Sequence, residues 1–396
     1  MNFIFVSPQF PRVYWNFCDR LKKKGVNVLG IGDTPYDALA HEVRESLTEY
    51  YFVPSLADYD QMLRAVAFFT FKYGRIDWLE SNNEHWLESD AHLRTDFNIR
   101  TGWQIGDIQH IKNKSAMKPF YKQAGIPTAR LHKVTTLEDA EKFLAKVGYP
   151  VIVKPDIGVG ATDTYRIDTH EELYHFYAAK PAEPYVMEEF ITGDICSYDA
   201  IVDADSNPIF ESMTVWPPSV MDIVLYQLDL SYYTTDHVPE ALKEAGRAAL
   251  KAFGVHSRFV HFEFFRLTKE KPGLGGIGDF AGLEVNMRPA GGYTTDMMNF
   301  AHSTDVYEIW ADMITANRRL LPDRAEHCFC AYASRRDFHH YVHTHEEILE
   351  RYAGRIVMCE RMPEMMWPQM GNHMYTAKLN GQHETAEFIH FVQEQI

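Results

Sequence analysis

The sequence predicts a mixed α/β and α+β protein: an N-terminal doubly wound α/β domain, two α+β units after it, and a small C-terminal α+β extension. Three observations predict it. Short apolar runs alternate with helical stretches at the start of the chain, the stretch from 185 onward turns rich in β-branched and aromatic runs, and Gly or Pro marks the changes of pattern.

Taken in order, "FIFVS" at 3–7 reads as a strand, "YWNFCDRLKKKG" at 14–25 as a helix closed by Gly25, and "VNVLGIGD" at 26–33 as the next strand. The helix "YDQMLRAVAFFTFKYG" at 59–74 and the run "IDWLESNNEHW" continue this βαβ opening to an end near Gly102–Gly106, giving a domain over 1–110. Pro8 and Pro11 stand where a dinucleotide turn places glycines, so NAD and FAD are not expected there.

Residues 111–187 read as a compact lid-sized unit. A helix from Ser115 to Ala124 is stopped by Gly125 and Pro127, "TTLEDAEKFLAKVG" has an acidic first turn and a closing Gly148, and Thr169 and Glu172 stand at capping-box spacing. Residues 188–322 are β-rich, with one helix at 240–254 and another near "DVYEIWADMITA". The tail 323–396 reads strand, helix, strand, strand, helix, and is expected to be a separate appendage.

The chain has 396 residues, with Lys+Arg 39 against Asp+Glu 55, and its net charge of −16 argues against a binder of nucleic-acid backbones. Its five cysteines are scattered without a C-x-x-C pair, which suits a reducing, cytoplasmic setting. The apolar start "MNFIFVSPQF" is broken by Ser7-Pro8 too early for a signal peptide or a membrane span, so neither is expected.

The chemistry lies in four stretches. "VIVKPDIGVGATDTYRI" at 151–167 ends a β-branched strand on Lys154 and follows it with Gly158, Gly160 and Ala161. A backbone bending around a phosphate beneath an ammonium fits that window, and so does an exposed lysine before a hairpin turn. "YVMEEFITGD" at 185–194 reads as a strand edge that can hydrogen-bond an adenine through its backbone, with Phe190 and Ile191 as an apolar wall.

"FVHFEFF" at 259–265 puts Glu263 inside an apolar strand, where an ionised carboxylate needs a partner or a metal. In "GLEVNMRPAGG" at 282–292, Glu284, Asn286 and Arg288 are spaced by two and share one face. Two carboxylates and an amide oxygen are hard ligands suited to a magnesium ion that also meets nucleotide phosphates, and Arg288 can hold a phosphoryl or carboxylate oxygen.

Together the ordered set "NKSAM…AGIPT", "VIVKPDIGVGA", "VMEEFITG", "HFEFF" and "LEVNMRPAGG" resembles the ATP-grasp superfamily, of the carbamoyl-phosphate-synthase-like, carboxylate–amine ligase type, over about 1–320. The resemblance implies a two-subdomain ATP-grasp fold behind the N-terminal domain, with ATP and Mg2+ (or Mn2+) as cofactors. It implies that Lys114 and Lys154 hold the ATP phosphates, that the 156–162 loop with Gly158, Gly160 and Ala161 covers them, and that Glu188, Glu189, Phe190 and Ile191 form the adenine hinge. Glu263, Glu284 and Asn286 match the metal ligands, and Arg288, with Lys154, the catalytic charges. Where many members place a ribose-binding acid two residues after the hinge glycine, this chain has Ile195, and the acid is Asp194.

The implied activity is an ADP-forming ligation in which a carboxylate takes the γ-phosphate and a nucleophile displaces phosphate from the acyl phosphate. A bicarbonate-phosphorylating enzyme of the carbamoyl-phosphate synthase kind and a nucleotide-binding regulator without turnover are the alternatives. Expected partners are ATP, a small-molecule carboxylate and its nucleophile; a homodimer stays open, and neither nucleic acid nor membrane is expected.

Three further signals are read blandly. "GLGGIG" at 273–278 lies between two predicted strands with no helix after it, so it reads as a hairpin loop. His339, His340, His343 and His345 surround a capping box at Thr344 and Glu347 and read as a solvated helix start. "SNNEHW" at 81–86 follows a strand end, where either Asn82 and Glu84 meet substrate or a turn carries a helix cap at Asn82 or Asn83.

Overall fold

Alternation in the first strand sets the N-terminal architecture. The computed structural model describes residues 1–158, 163–180, 182–217 and 228–396. Strands β1 (Asn2–Val6), β2 (Asn27–Gly32), β3 (Glu49–Phe52) and β4 (Trp78–Glu80) form a parallel sheet in the order β3-β2-β1-β4. Ile4 and Val6 pack on the side of the helix Tyr59–Tyr73, among Val66 and Phe69. Phe3 and Phe5 face the other way, where Phe17 of the helix Trp15–Lys23 meets them.

That second face is completed from far along the chain. Trp310, on the helix Val306–Ala316, sits with its ring 5.6 Å from Phe3 and 5.0 Å from Phe17. The N-terminal unit therefore does not close at residue 110: one of its two helical layers comes partly from residues 306–316.

The second sheet is antiparallel, with β5 (Leu131–Lys133), β6 (Val151–Pro155), β7 (Tyr165–Ile167) and β8 (Tyr185–Glu189) in the order β5-β8-β6-β7. Val151, Val153 and Met187 face the helices Leu137–Val147 and His170–Ala179. Period two then turns Lys154 and Glu188 to the opposite, open face. Thr136 caps the first helix and Thr169 with Glu172 forms the expected capping box on the second.

The third sheet has nine strands among the described residues. It runs β14 (Phe280–Asn286), β13 (Arg258–Leu267), β9 (Gly193–Val202), β11 (Thr214–Trp216), β12 (Ser231–Thr234), β15 (Phe329–Arg335), β17 (His373–Leu379), β16 (Ile356–Arg361), with β10 (Pro208–Ser212) also on β9. The tail is thus no separate appendage. β15 pairs with β12 over Ser231↔Ala333 to Thr234↔Cys330, covering what would otherwise be an open ladder of backbone groups. The expected boundary at 187/188 also moves, because β8 keeps Glu188 and Glu189 in the second sheet and the chain leaves only at Phe190. "GLGGIG" lies in the β13–β14 connection, as a hairpin loop should. Among the described residues no helix is long and apolar enough to cross a membrane.

Candidate active site

Three neighbouring strands carry the polar face. In the β13–β14 pair Glu263 stands opposite Glu284 and His261 opposite Asn286, while on the other side of β13 the partners are Ser197 and Asp199 of β9. The alternate residues Tyr198, Phe262, Phe264 and Val285 are buried in the core behind the sheet. One apolar layer thus holds carboxylates from two strands in register.

The helix Lys114–Gln123 brings cations to this face. Its start is tied to the end of β6: the Ser115 N–H and hydroxyl each donate to Asp156 at 2.7 Å, and the Lys114 N–H donates to the Asp156 carbonyl at 2.9 Å. Lys114 Nζ donates to the Gly158 carbonyl at 2.9 Å and lies 3.2 Å from Glu284 Oε1. One turn on, Lys118 Nζ reaches Glu188 Oε1 at 2.5 Å, and Lys154 Nζ holds Oε2 of the same carboxylate at 2.7 Å.

Tyr121 comes next on that helix face. Its ring lies so close over β14 that a Cβ on Gly282 would be 2.5 Å from Cε1, so only glycine fits there. The buried Tyr121 hydroxyl has no hydrogen-bond partner among the described residues. Burial, then the charges of Glu284, Glu263 and Glu188, push this phenol far above its ordinary range.

The charges hold one another ionised. Burial opposes the Lys154 ammonium, but Glu188 and Glu284 outweigh it and raise its pKa. Burial likewise opposes ionised Glu188, yet Lys154 and Lys118 bring it down to about 2. His261 is raised to about 9, against the effect of burial, by Asp199 at 2.7 Å and Glu263 at 3.3 Å, and Glu263 is lowered against burial by His261, Arg288 and Lys114. His261 is thus turned to Asp199 and Glu263 on the same face. The oxygens of Glu263, Glu284 and Asn286 are a hard donor set that fits Mg2+ or Mn2+.

The far wall comes from the N-terminal unit. Glu80, at the end of β4, receives Arg94 at 3.0 Å and also Arg258 of β13, and its other oxygen accepts the N–H groups of Ser81 and Asn82 at 3.1 and 3.2 Å. This buried cluster fixes "SNNEHW" over the site. Asn82 is 1% exposed with an unpartnered side-chain nitrogen, while its carbonyl accepts from the Tyr14 hydroxyl at 2.7 Å. Glu84 Oε2 is also unpartnered among the described residues, and burial raises its pKa, with Arg288 opposing and Glu284 reinforcing the shift. Arg288 donates to the Pro289 carbonyl at 2.9 Å and, at 3.5 Å, to Asn286, and makes no ion pair among the described residues.

Lys114, Lys154, Glu263, Glu284, Asn286 and Arg288 therefore converge, with Gly158 beside them. Gly160 and Ala161 lie outside the described residues. The edge reading of 185–194 is corrected for Glu188, which lies inside β8 between β5 and β6; Glu189 ends that strand with its N–H donating to the Arg130 carbonyl at 3.1 Å, and the two side chains hold Lys118, Lys154, Arg130 and Lys271. Of the hinge residues, the Phe190 carbonyl accepts from Lys271 at 2.5 Å, while Ile191 packs among Ala129, Leu267 and Ala281. Asp194 is also corrected. It shares the β9 face of Cys196 and Tyr198, away from Ser197 and Asp199, so its exposed carboxylate is not among the gathered groups.

The sequence reading missed Lys118, Tyr121, His261 and Asp199. The signals were present: Lys114, Lys118 and Tyr121 follow i, i+4, i+7 on one helix, and His261 is two residues from Glu263 on one strand.

The family model for the carbamoyl-phosphate synthase L chain, ATP binding domain, matches residues 113–193. The L-arginine-specific L-amino acid ligase of Bacillus subtilis is 26% identical over 267 residues, which are 65% of this chain; the chain spans 62% of that relative's length. Among solved structures, the L-amino acid ligase from Bacillus licheniformis superposes with a TM-score of 0.71 at 15% identity, covering 98% of this chain and 95% of its own. The N5-carboxyaminoimidazole ribonucleotide synthetase from Thermus thermophilus gives 0.70 at 15% identity, over 99% and 97%.

Proposed function

This chain is a protein of the ATP-grasp fold, and from that premise we propose that it is an ADP-forming ligase that activates a carboxylate as an acyl phosphate for attack by an amine or another nucleophile. The observation that carries the reading is the Lys114–Glu284 contact of 3.2 Å, which joins the cationic helix and lid to the hard-oxygen face in one cleft.

ATP lies between the open face of the second sheet and the β13–β14 face, with Lys114 and Lys154 on its phosphates and Phe190–Ile191 beside its base. Mg2+ or Mn2+, when bound, would supply charge neutralisation, and Glu263, Glu284 and Asn286 are the residues that would hold it. Arg288, which makes no ion pair among the described residues, orients the acid against the γ-phosphoryl group and stabilises the charge that develops there. The carboxylate oxygen forms a bond to γ-phosphorus as the bond to ADP breaks. The nucleophile then attacks the acyl carbon, phosphate leaves, and the nucleophile's proton goes to solvent or a nearby base. Asn82 and Glu84 bring unpartnered polar atoms to the substrate side.

The test is ADP release across a panel of carboxylic acids, bicarbonate included, with and without amino acids as nucleophiles. ADP formation dependent on one acid, and a hydroxamate when hydroxylamine replaces the nucleophile, are expected. ATP binding with acid-independent ADP release and no hydroxamate overturns the ligase reading; dependence on bicarbonate alone transfers it to carboxyphosphate chemistry.

Lys154→Met is expected to weaken ATP binding by roughly 10- to 100-fold, the range of a charge-assisted hydrogen bond. The fold should persist, because Lys118 remains on Glu188. Calorimetric titration reads the affinity, and an unchanged value in a folded variant removes Lys154 from the phosphates.

A further inference from the structure

Away from the cleft, the run His339, His340, His343 and His345 is dispersed by the fold. His339 turns to Asp229 at 3.2 Å and His343 stacks on Phe391 at 3.6 Å between ring centres. His345, the first residue of the helix His345–Arg351, turns instead toward β16 and β17. There, one ligand atom each from His345, Cys359 and His373 lies within 4.8 Å of the others, and all three side chains are half-buried.

We propose that His345, Cys359 and His373 form a binding site for a divalent metal of the zinc type, which clips the helix His345–Arg351 to the β16–β17 edge of the large sheet.

The topology sets up this trio. β16 and β17 pair with Cys359 opposite Tyr375 and Arg361 opposite His373, so Cys359 and His373 are diagonal neighbours on one face. The helix packs over that face through Ile348, which shares a buried cluster with Tyr375. The Tyr375 hydroxyl engages His345 Nδ1 at 2.9 Å and fixes the orientation of the ring, the outer-shell contact that metal-bound histidines characteristically make.

Distances and chemistry agree. Tetrahedral zinc with bonds of about 2.3 Å to sulfur and about 2.0 Å to nitrogen sets these atoms roughly 3.5 Å apart. Cys359 Sγ and His373 Nε2 are 3.3 Å apart. The widest separation in the trio closes by about an ångström on χ rotation of half-exposed side chains. A thiolate with two imidazoles selects a borderline metal, unlike the all-oxygen set of Glu263, Glu284 and Asn286. On coordination the Cys359 thiol gives its proton to water, and water fills the fourth position. The neighbouring charge of Arg361 is offset by its ion pair with Asp337.

The test uses the full chain, stripped with a chelator and titrated with Co2+, then Zn2+. An equimolar thiolate-to-cobalt charge-transfer band is expected, displaced by Zn2+, absent in Cys359→Ser and in His373→Ala, and retained in Glu284→Gln. Zn2+ should also raise the Tm of the parent chain and leave that of both site variants unmoved. No band in the folded parent chain, or a band that survives Cys359→Ser, overturns the proposal. So does a band lost in Glu284→Gln, because that places the metal in the cleft.

Discussion

Glu284→Gln is expected to lower turnover by about 10²-fold or more, the scale of removing a main electrostatic stabiliser. Glu284 stands opposite Glu263 and within 3.2 Å of Lys114, and in the proposed reading its charge serves the metal and the phosphate side together. Glutamine keeps the shape and one oxygen donor but removes that charge, so the remaining activity should need more Mg2+. Turnover measured across a Mg2+ series decides it. Wild-type turnover at equal Mg2+ removes Glu284 from the metal set. The pattern differs from Lys154→Met, whose larger effect is on ATP affinity.

Glu80→Gln is expected to cost about 3–5 kcal/mol of stability, the range found when a buried ion pair loses one partner. Arg94 is wholly buried and Arg258 is 2% exposed, and both guanidinium groups converge on Glu80. A neutral amide leaves two buried cations without their shared anion. Urea unfolding reads the loss, and a change below about 1 kcal/mol would mean that other groups carry the compensation. Because the same carboxylate holds the Ser81 and Asn82 N–H groups, substrate dependence should weaken along with stability.

What the sequence disclosed followed local period. The apolar run in "FIFVS", the Thr169–Glu172 capping box and the hairpin at "GLGGIG" are decided within a few residues, and each is found where its pattern puts it. Glu263 and the Glu284–Asn286 spacing were legible because a carboxylate in an apolar strand needs a reason. The pairing of β12 with β15 and the seating of Trp310 on Phe3 were not legible, since contacts between distant segments leave no mark on either segment alone. His261 escaped notice because a histidine in an apolar run raises no alarm until its Asp199 partner, on another strand, is known. The same period-two rule, applied to Asp194, would have turned it away from the site at once.

Because Trp310 completes the face of Phe3, Phe5 and Phe17, the order of synthesis and the order of assembly differ in this chain. Residues 1–80 leave the ribosome ahead of the helix Val306–Ala316, which at roughly 5–20 residues per second follows only tens of seconds later. Until then an aromatic surface of the first sheet lacks its partner, a sticky intermediate of the kind that chaperones shield. The first sheet is thus made well before its second face is finished. Any separate expression of residues 1–110 inherits that bare surface permanently.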